Sequence, residues 1–134
     1  MNIALMAHDR KKELMVQFCI AYCGILSGHS ICATKTTGRL VAEATGLPIT
    51  LYLSAAQGGS QQIGARIAYN EIDLVLFFCD PAEYENSSAV HEIARLCDQY
   101  SIPFASNVAT AEVLIQGLRR GDLDWRNIVN PKHN

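Results

Sequence analysis

A chain of 134 residues, 49% apolar and 18% charged, is long and apolar enough to bury one sizeable core, which excludes a disordered protein. Its net charge of −2, with no long run of one sign, excludes a general binder of nucleic-acid polymers, which needs a basic face. The five cysteines, Cys19, Cys23, Cys32, Cys79 and Cys97, are odd in number and set in apolar segments without a matching Cys or His pair, so they read as reduced core thiols of a cytoplasmic protein and not as a zinc site.

The first element, Asn2-Ile3-Ala4-Leu5-Met6-Ala7, reads as a buried strand. It lacks the basic flank and the small-residue cleavage site of a signal peptide. His8-Asp9-Arg10-Lys11-Lys12 follows, with Asp9 placed to cap a helix carrying Leu14, Met15, Phe18, Cys19, Tyr22, Ile25 and Leu26 at helical spacing. Gly28 helps end that segment. Ser30-Ile31-Cys32-Ala33 leads as a second strand into the turn Thr34-Lys35-Thr36-Thr37-Gly38. A helix is predicted from about Thr37, with Thr36 or Thr37 as its cap, closing at Thr45-Gly46-Leu47-Pro48. A third strand, Ile49 to Leu53, ends in the polar stretch Ser54 to Gln62, and Ile63, Ile67 and Ala68 mark the next helix.

Ile72 to Cys79 is the most apolar strand and is apolar on both faces, as an interior parallel strand should be. It ends at Asp80-Pro81, followed by a polar loop from Ala82 to Ser88. Val90, Ile93, Ala94, Cys97 and Tyr100 give a helical stripe. Ile102 to Ser106 is a short fifth strand, with Asn107 and a helix from about Thr110 after it. The tail from Arg119 is polar except around Trp125 and Ile128-Val129. No linker, repeat or span of membrane length interrupts the chain, so residues 1–134 are predicted to form one domain that makes no membrane contact.

Strands alternating with helices mean an α/β fold with a mainly parallel five-stranded sheet. In such sheets ligands bind beyond the carboxyl ends of the strands. The polar clusters fall there: His8, Asp9 and Lys12; Thr34 to Gly38; Ser54 to Ser60; Asp80; and Asn107. Hydroxyls and free N–H groups at a helix start suit an anion, phosphate in particular. Taken singly, each residue keeps a plainer alternative. Lys12 is a phosphate-seeking point charge or a solvated first-turn lysine. Asp9 is an acid/base or a helix cap. Asp80, partly desolvated at a strand end, is a proton carrier or a turn residue before Pro81. Gly58-Gly59 permits close backbone approach to a ligand or is a flexible loop.

Together the segments resemble the methylglyoxal synthase family. The resemblance rests on Ala7-His8-Asp9 with Lys12, the Ala33-Thr34-x-Thr36-Thr37-Gly38 turn, and Leu53-Ser54 with Gly58-Gly59-x-Gln61-Gln62-Ile63-Gly64-Ala65. It continues in Ile72 to Asp80-Pro81 and in Ile102-Pro103 with Asn107-Val108-Ala109-Thr110-Ala111, so it covers most of the chain to about Gln116. It implies a Rossmann-like three-layer α/β/α domain, usually assembled as a homohexamer. It also implies elimination of phosphate from dihydroxyacetone phosphate without metal or organic cofactor. By matching position it places Lys12, Thr34, Lys35, Thr36, Thr37, Gly38, Ser54, Ala55 and Gly59 around a phosphate. His8, Asp9, Asp80 and Ser60 fall at the catalytic positions.

The chain departs from that family's pattern at chosen places. Ser60 stands where the family has the Asp that best fits the proton-abstracting base, and an unassisted hydroxyl is a poor base. The loop after Asp80-Pro81 lacks the family's His and second Asp. Glu83, Glu85 or His91 is a substitute or, more simply, a solvated side chain. Lys35 replaces a small residue between the threonines and suits a second phosphate or a nucleotide; Ala55 replaces the Gly after Ser54. Where the family has a C-terminal helix with a late Arg, this chain runs to Pro131-Lys132-His133-Asn134. The reading is a family member that binds a small phosphorylated ligand, a triose phosphate or nucleotide, with the elimination lost or changed. The alternatives are an active synthase with relocated acid/base groups, and a structural or interaction module with a disused pocket.

Overall fold

The computed structural model describes residues 1–129. Five strands, β1 (Asn2–Ala7), β2 (Ser30–Ala33), β3 (Ile49–Leu51), β4 (Leu74–Phe78) and β5 (Phe104–Ala105), form one sheet in the order β3-β2-β1-β4-β5. All four pairings are parallel, so the sheet is fully parallel and not merely mainly so. Among the described residues seven α-helices accompany it: α1 (Lys12–Ala21), α2 (Cys23–Leu26), α3 (Lys35–Thr45), α4 (Gly59–Ala68), α5 (Ser88–Gln99), α6 (Val108–Arg120) and α7 (Trp125–Val129).

The two-residue period of a strand sends alternate side chains to opposite faces. Ile3, Leu5 and Ala7 of β1 and Leu74, Leu76 and Phe78 of β4 join a core with Met15, Phe18 and Cys19 of α1, Val41 of α3 and Ile115 of α6. Ala4 and Met6, with Val75 and Phe77, join the other core, built with Ile63 and Ile67 of α4 and Val90, Ile93 and Cys97 of α5. Both faces are therefore covered by helices, as expected of a doubly wound sheet. β2 and β3 lie on one side of β1, and β4 and β5 on the other. The chain thus reverses direction across the sheet between β1 and β4, the place where such folds form a crevice at the strands' carboxyl ends.

Several boundaries differ from the sequence expectation. The helix after the threonine turn begins at Lys35, two residues earlier, with Thr34 in the flanking extended position and making no side-chain cap. Asp9 does not cap α1. It opens a 3-10 turn, Asp9–Lys11, its side chain is 95% exposed, and it pairs with Lys12 instead. β3 pairs only over Ile49–Leu51. α4 starts at Gly59, so Ser60 lies in its first turn and not in a loop. Asn107 caps α6, its side chain accepting from the Thr110 N–H at 3.0 Å. Gly46 takes φ 76° at the end of α3, a left-handed position that suits glycine, in keeping with the predicted stop.

The tail is not simply polar. Trp125–Val129 is a helical turn whose Arg126 is fully buried at the amino-terminal edge of the sheet, opposite the crevice. Its guanidinium donates to Asp73 Oδ1 (3.0 Å), the Ser101 carbonyl (3.0 Å) and Asn70 Oδ1 (3.1 Å). The terminal Pro131-Lys132-His133-Asn134 lies outside the described residues. All five cysteines are free thiols, four of them buried; burial pushes Cys19 and Cys97 up to about 12 and Cys79 to about 11. Among the described residues no helix is long and apolar enough to cross a membrane.

Candidate active site

A cleft of about 280 Å³ opens at the carboxyl ends of β1, β2 and β4. Met6, Ala7 and His8 line it from β1, Thr34 from the end of β2, and Phe77 from β4. Ala55 and Ser60 close it on the α4 side. Ala82, Glu83, Asn86, Ser87 and Ala89 close it from the loop and the start of α5. Of the residues singled out in the sequence, His8, Thr34, Ala55, Ser60 and Glu83 therefore meet around one space.

His8 is held from both ring nitrogens. The Asp80 backbone N–H donates to Nδ1 at 2.8 Å, and Nε2 lies 3.3 Å from Ser87 Oγ. Because Nδ1 accepts, the proton of the neutral ring sits on Nε2 and is donated towards Ser87. The Phe77 ring packs edge-on at 5.4 Å between centroids and fixes the imidazole plane. Asp80 acts here through its main chain. Its carboxylate takes the Ala82 N–H at 3.0 Å, a turn contact, and lies 4.0 Å from Arg10 Nε.

The threonine turn leads directly into α3. A helix start leaves its first N–H groups without intrahelical partners. In α3 the Lys35 N–H reaches the Leu53 carbonyl at 3.3 Å and Gly38 closes the first helical bond to Thr34, which leaves the Thr36 and Thr37 N–H groups. Lys35 and Thr36 are exposed, while Thr34, Thr37 and Gly38 are buried. The Thr37 hydroxyl is buried with no hydrogen-bond partner. Gly59 is pinned against the β3 end. A Cβ there would lie 1.9 Å from the Leu53 carbonyl oxygen, so only glycine lets α4 begin so close to the crevice. Ser54 is half-buried, its hydroxyl donating to Gln57 Oε1 at 3.2 Å.

Other candidates are not among the cleft-lining residues. Lys12 donates to the Ala7 carbonyl at 2.7 Å and pairs with Asp9 at 3.2 Å, which anchors its ammonium at the end of β1. With Asp9 it lines a separate groove between α1 and α3. Glu85 and His91 are not among the cleft-lining residues; His91 packs edge-on against Tyr84. Ser87 and Asn86 line the cleft although nothing in the sequence reading singled them out. The available signal was a Ser directly before the helical stripe at Val90, the mark of a helix cap. Among the described residues no group of three or more His, Cys, Asp or Glu side chains could hold a metal ion.

Fold and cleft together define a doubly wound parallel α/β protein with a crevice of mixed polar and apolar lining at the strand switch point. A family model, the MGS-like domain, matches residues 15–106. The chain is 59% identical over 133 residues to a methylglyoxal synthase of Caldicellulosiruptor saccharolyticus, covering 98% of this chain and 94% of that one. It is 52% identical to a methylglyoxal synthase of Geobacillus thermodenitrificans over 97% of this chain and 91% of that one. The crystal structure of methylglyoxal synthase from Elizabethkingia anophelis superposes with a TM-score of 0.79 at 38% identity, covering 85% of this chain and 76% of that one. The chain belongs to the methylglyoxal synthase-like family.

Proposed function

We propose that this protein binds a small phosphorylated ligand in the cleft and has lost or changed the elimination of phosphate from dihydroxyacetone phosphate. The observation that carries the reading is the Thr37 hydroxyl, buried without a partner in the first turn of α3. A buried hydroxyl left unpaired costs about 1–3 kcal/mol. A pocket kept only for stability gains nothing from it, whereas an anion seated on the α3 N-terminus satisfies it. This argues against the disused-pocket alternative.

The chemistry is read from Ser60. Removing a carbon-bound proton beside a carbonyl needs a placed base tuned to the working pH, a contribution of roughly 10²–10⁴-fold. The family's base position holds a serine, 6% exposed, and no carboxylate stands beside it in the chain. The His8 ring cannot serve as base through Nε2, which carries the proton. Its role is to orient and polarise a ligand oxygen. A second reading, an active synthase with a relocated base, draws on one observation: Glu83 lines the same cleft as His8 and Ser60. Phosphate release by wild type, Ser60→Asp and Glu83→Gln separates the two. Loss of measurable turnover only on Glu83→Gln would favour the second.

The reduced thiols suit a cytoplasmic protein. Exposed Leu51 and Leu53 beside the β3 edge, with Ile20 and Leu40, fit burial between copies of the chain, as in a homohexamer. Light scattering at micromolar concentration is expected to give a multiple of the 14.7 kDa chain; a monomer would contradict this.

A further inference from the structure

We infer that Gln62 is a positioning residue: from the first turn of α4 its side chain sets where α3 begins, by holding the main chain just past the end of β3. The inference rests on the phosphate reading above for its binding arm and stands without it for its main-chain arm.

Pairing of β3 with β2 ends at Leu51, and the Tyr52 N–H still reaches the Ala33 carbonyl at 2.9 Å. Leu53 and Ser54 lie beyond that ladder, yet two helix starts are tied to them. The Leu53 carbonyl accepts the N–H of Lys35, the first residue of α3, at 3.3 Å. The Ser54 carbonyl accepts the N–H of Gly59, the first residue of α4, at 2.9 Å. A third tie runs from the Leu53 N–H to Gln62 Oε1 at 2.8 Å. It is the shortest of the three and the one made by a side chain. The N–H and the carbonyl of Leu53 flank one Cα, so a rotation there moves both. The α4 side leaves no slack, because the Leu53 carbonyl oxygen stands where a Cβ on Gly59 would clash. The Lys35 bond, at the long end of hydrogen-bond distance, is the one that yields when Leu53 turns. Beyond Lys35 lies the first turn of α3 with the unpartnered Thr37 hydroxyl. Gln62 is not among the cleft-lining residues, so it acts through Leu53 and Lys35 and touches no ligand. Its bond is solvent-exposed, so without it the Leu53 N–H turns to water and the fold is little disturbed.

The test compares wild type with Gln62→Met, which keeps the length of the side chain and removes the acceptor, and Gln62→Glu, which keeps an acceptor oxygen at the same reach. Gln61→Met, one position earlier on the same turn, controls for the change of residue type. Amide hydrogen exchange is followed residue by residue by NMR, and binding of inorganic phosphate by calorimetry. In Gln62→Met the Leu53 and Lys35 amides are expected to exchange about fivefold faster or more, with the amides of β1 and β4 unchanged and phosphate bound about fivefold more weakly. Gln62→Glu is expected to keep both amides within about twofold of wild type, and Gln61→Met to match wild type in both measurements. Faster exchange at Leu53 alone, or unchanged phosphate affinity, overturns the inference, since Gln62 then only shields the strand edge. So do an unchanged Leu53 amide, equal losses in Gln62→Met and Gln62→Glu, and a loss of protection shared by β1 and β4. Failure of wild type to bind inorganic phosphate overturns instead the reading on which the binding arm rests, and the Lys35 amide then decides the role of Gln62.

Discussion

At the scale of single residues, the site is marked by a polar group left without a partner, the Thr37 hydroxyl. Thr37→Val replaces an orphaned hydroxyl with a methyl of similar shape. It is expected to stabilise the ligand-free protein by about 1–3 kcal/mol and to abolish the rise in melting temperature that phosphate produces through linkage. Thermal scans with and without phosphate, against chloride at matched ionic strength, check both halves. A destabilised variant that still responds to phosphate would contradict the assignment. Residue types at this site were legible in the sequence because helix starts and strand ends limit what serine and threonine can do there. Their partners were not. The contacts of Lys12 to the Ala7 carbonyl and to Asp9 have no local signature. The direction of His8 depends on a main-chain N–H 72 residues away, which no local pattern encodes.

At the scale of elements, periodicity located every strand and the main helices, and misjudged where helices begin. α3 and α4 both start earlier than their apolar stripes, because the first turn of each carries hydroxyls and glycine in place of apolar residues. A stripe reports burial against the core, not the first hydrogen bond. Gly59 shows what such a start requires. Gly59→Ala is expected to cost about 3 kcal/mol, at the upper end for overpacking, since the obstructing atom is the Leu53 carbonyl and not a flexible side chain. Denaturant unfolding measures it; a loss under 0.5 kcal/mol, roughly the size of a neutral surface change, would show that α4 can shift outward freely.

At the scale of the whole molecule, the two edges of the sheet have separate tasks. The carboxyl edge holds the cleft, and the amino edge is clasped by Arg126. The clasp was hidden from the sequence. A lone Arg in a polar tail reads as solvated, and Asp73 falls inside the predicted strand Ile72 to Cys79; only the tertiary fold brings them to 3.0 Å with both side chains buried. Arg126→Met leaves Asp73 without that counter-ion. It is expected to cost about 3–5 kcal/mol while leaving phosphate affinity within about twofold, since the site lies at the opposite edge. Calorimetry beside a denaturant series checks it, and a large loss of phosphate affinity in a still-folded variant would contradict the separation. The parallel sheet followed from the alternation of strands and helices; its order, with the reversal between β1 and β4 that forms the crevice, came only with the tertiary fold.

The most direct test measures binding and turnover on one sample. Dihydroxyacetone phosphate is titrated into the wild-type protein by calorimetry, and phosphate release and methylglyoxal formation are followed in parallel beside the Geobacillus thermodenitrificans relative. The account predicts saturable binding with little or no product, and some gain of product in Ser60→Asp. Wild-type turnover comparable to the relative's would contradict it.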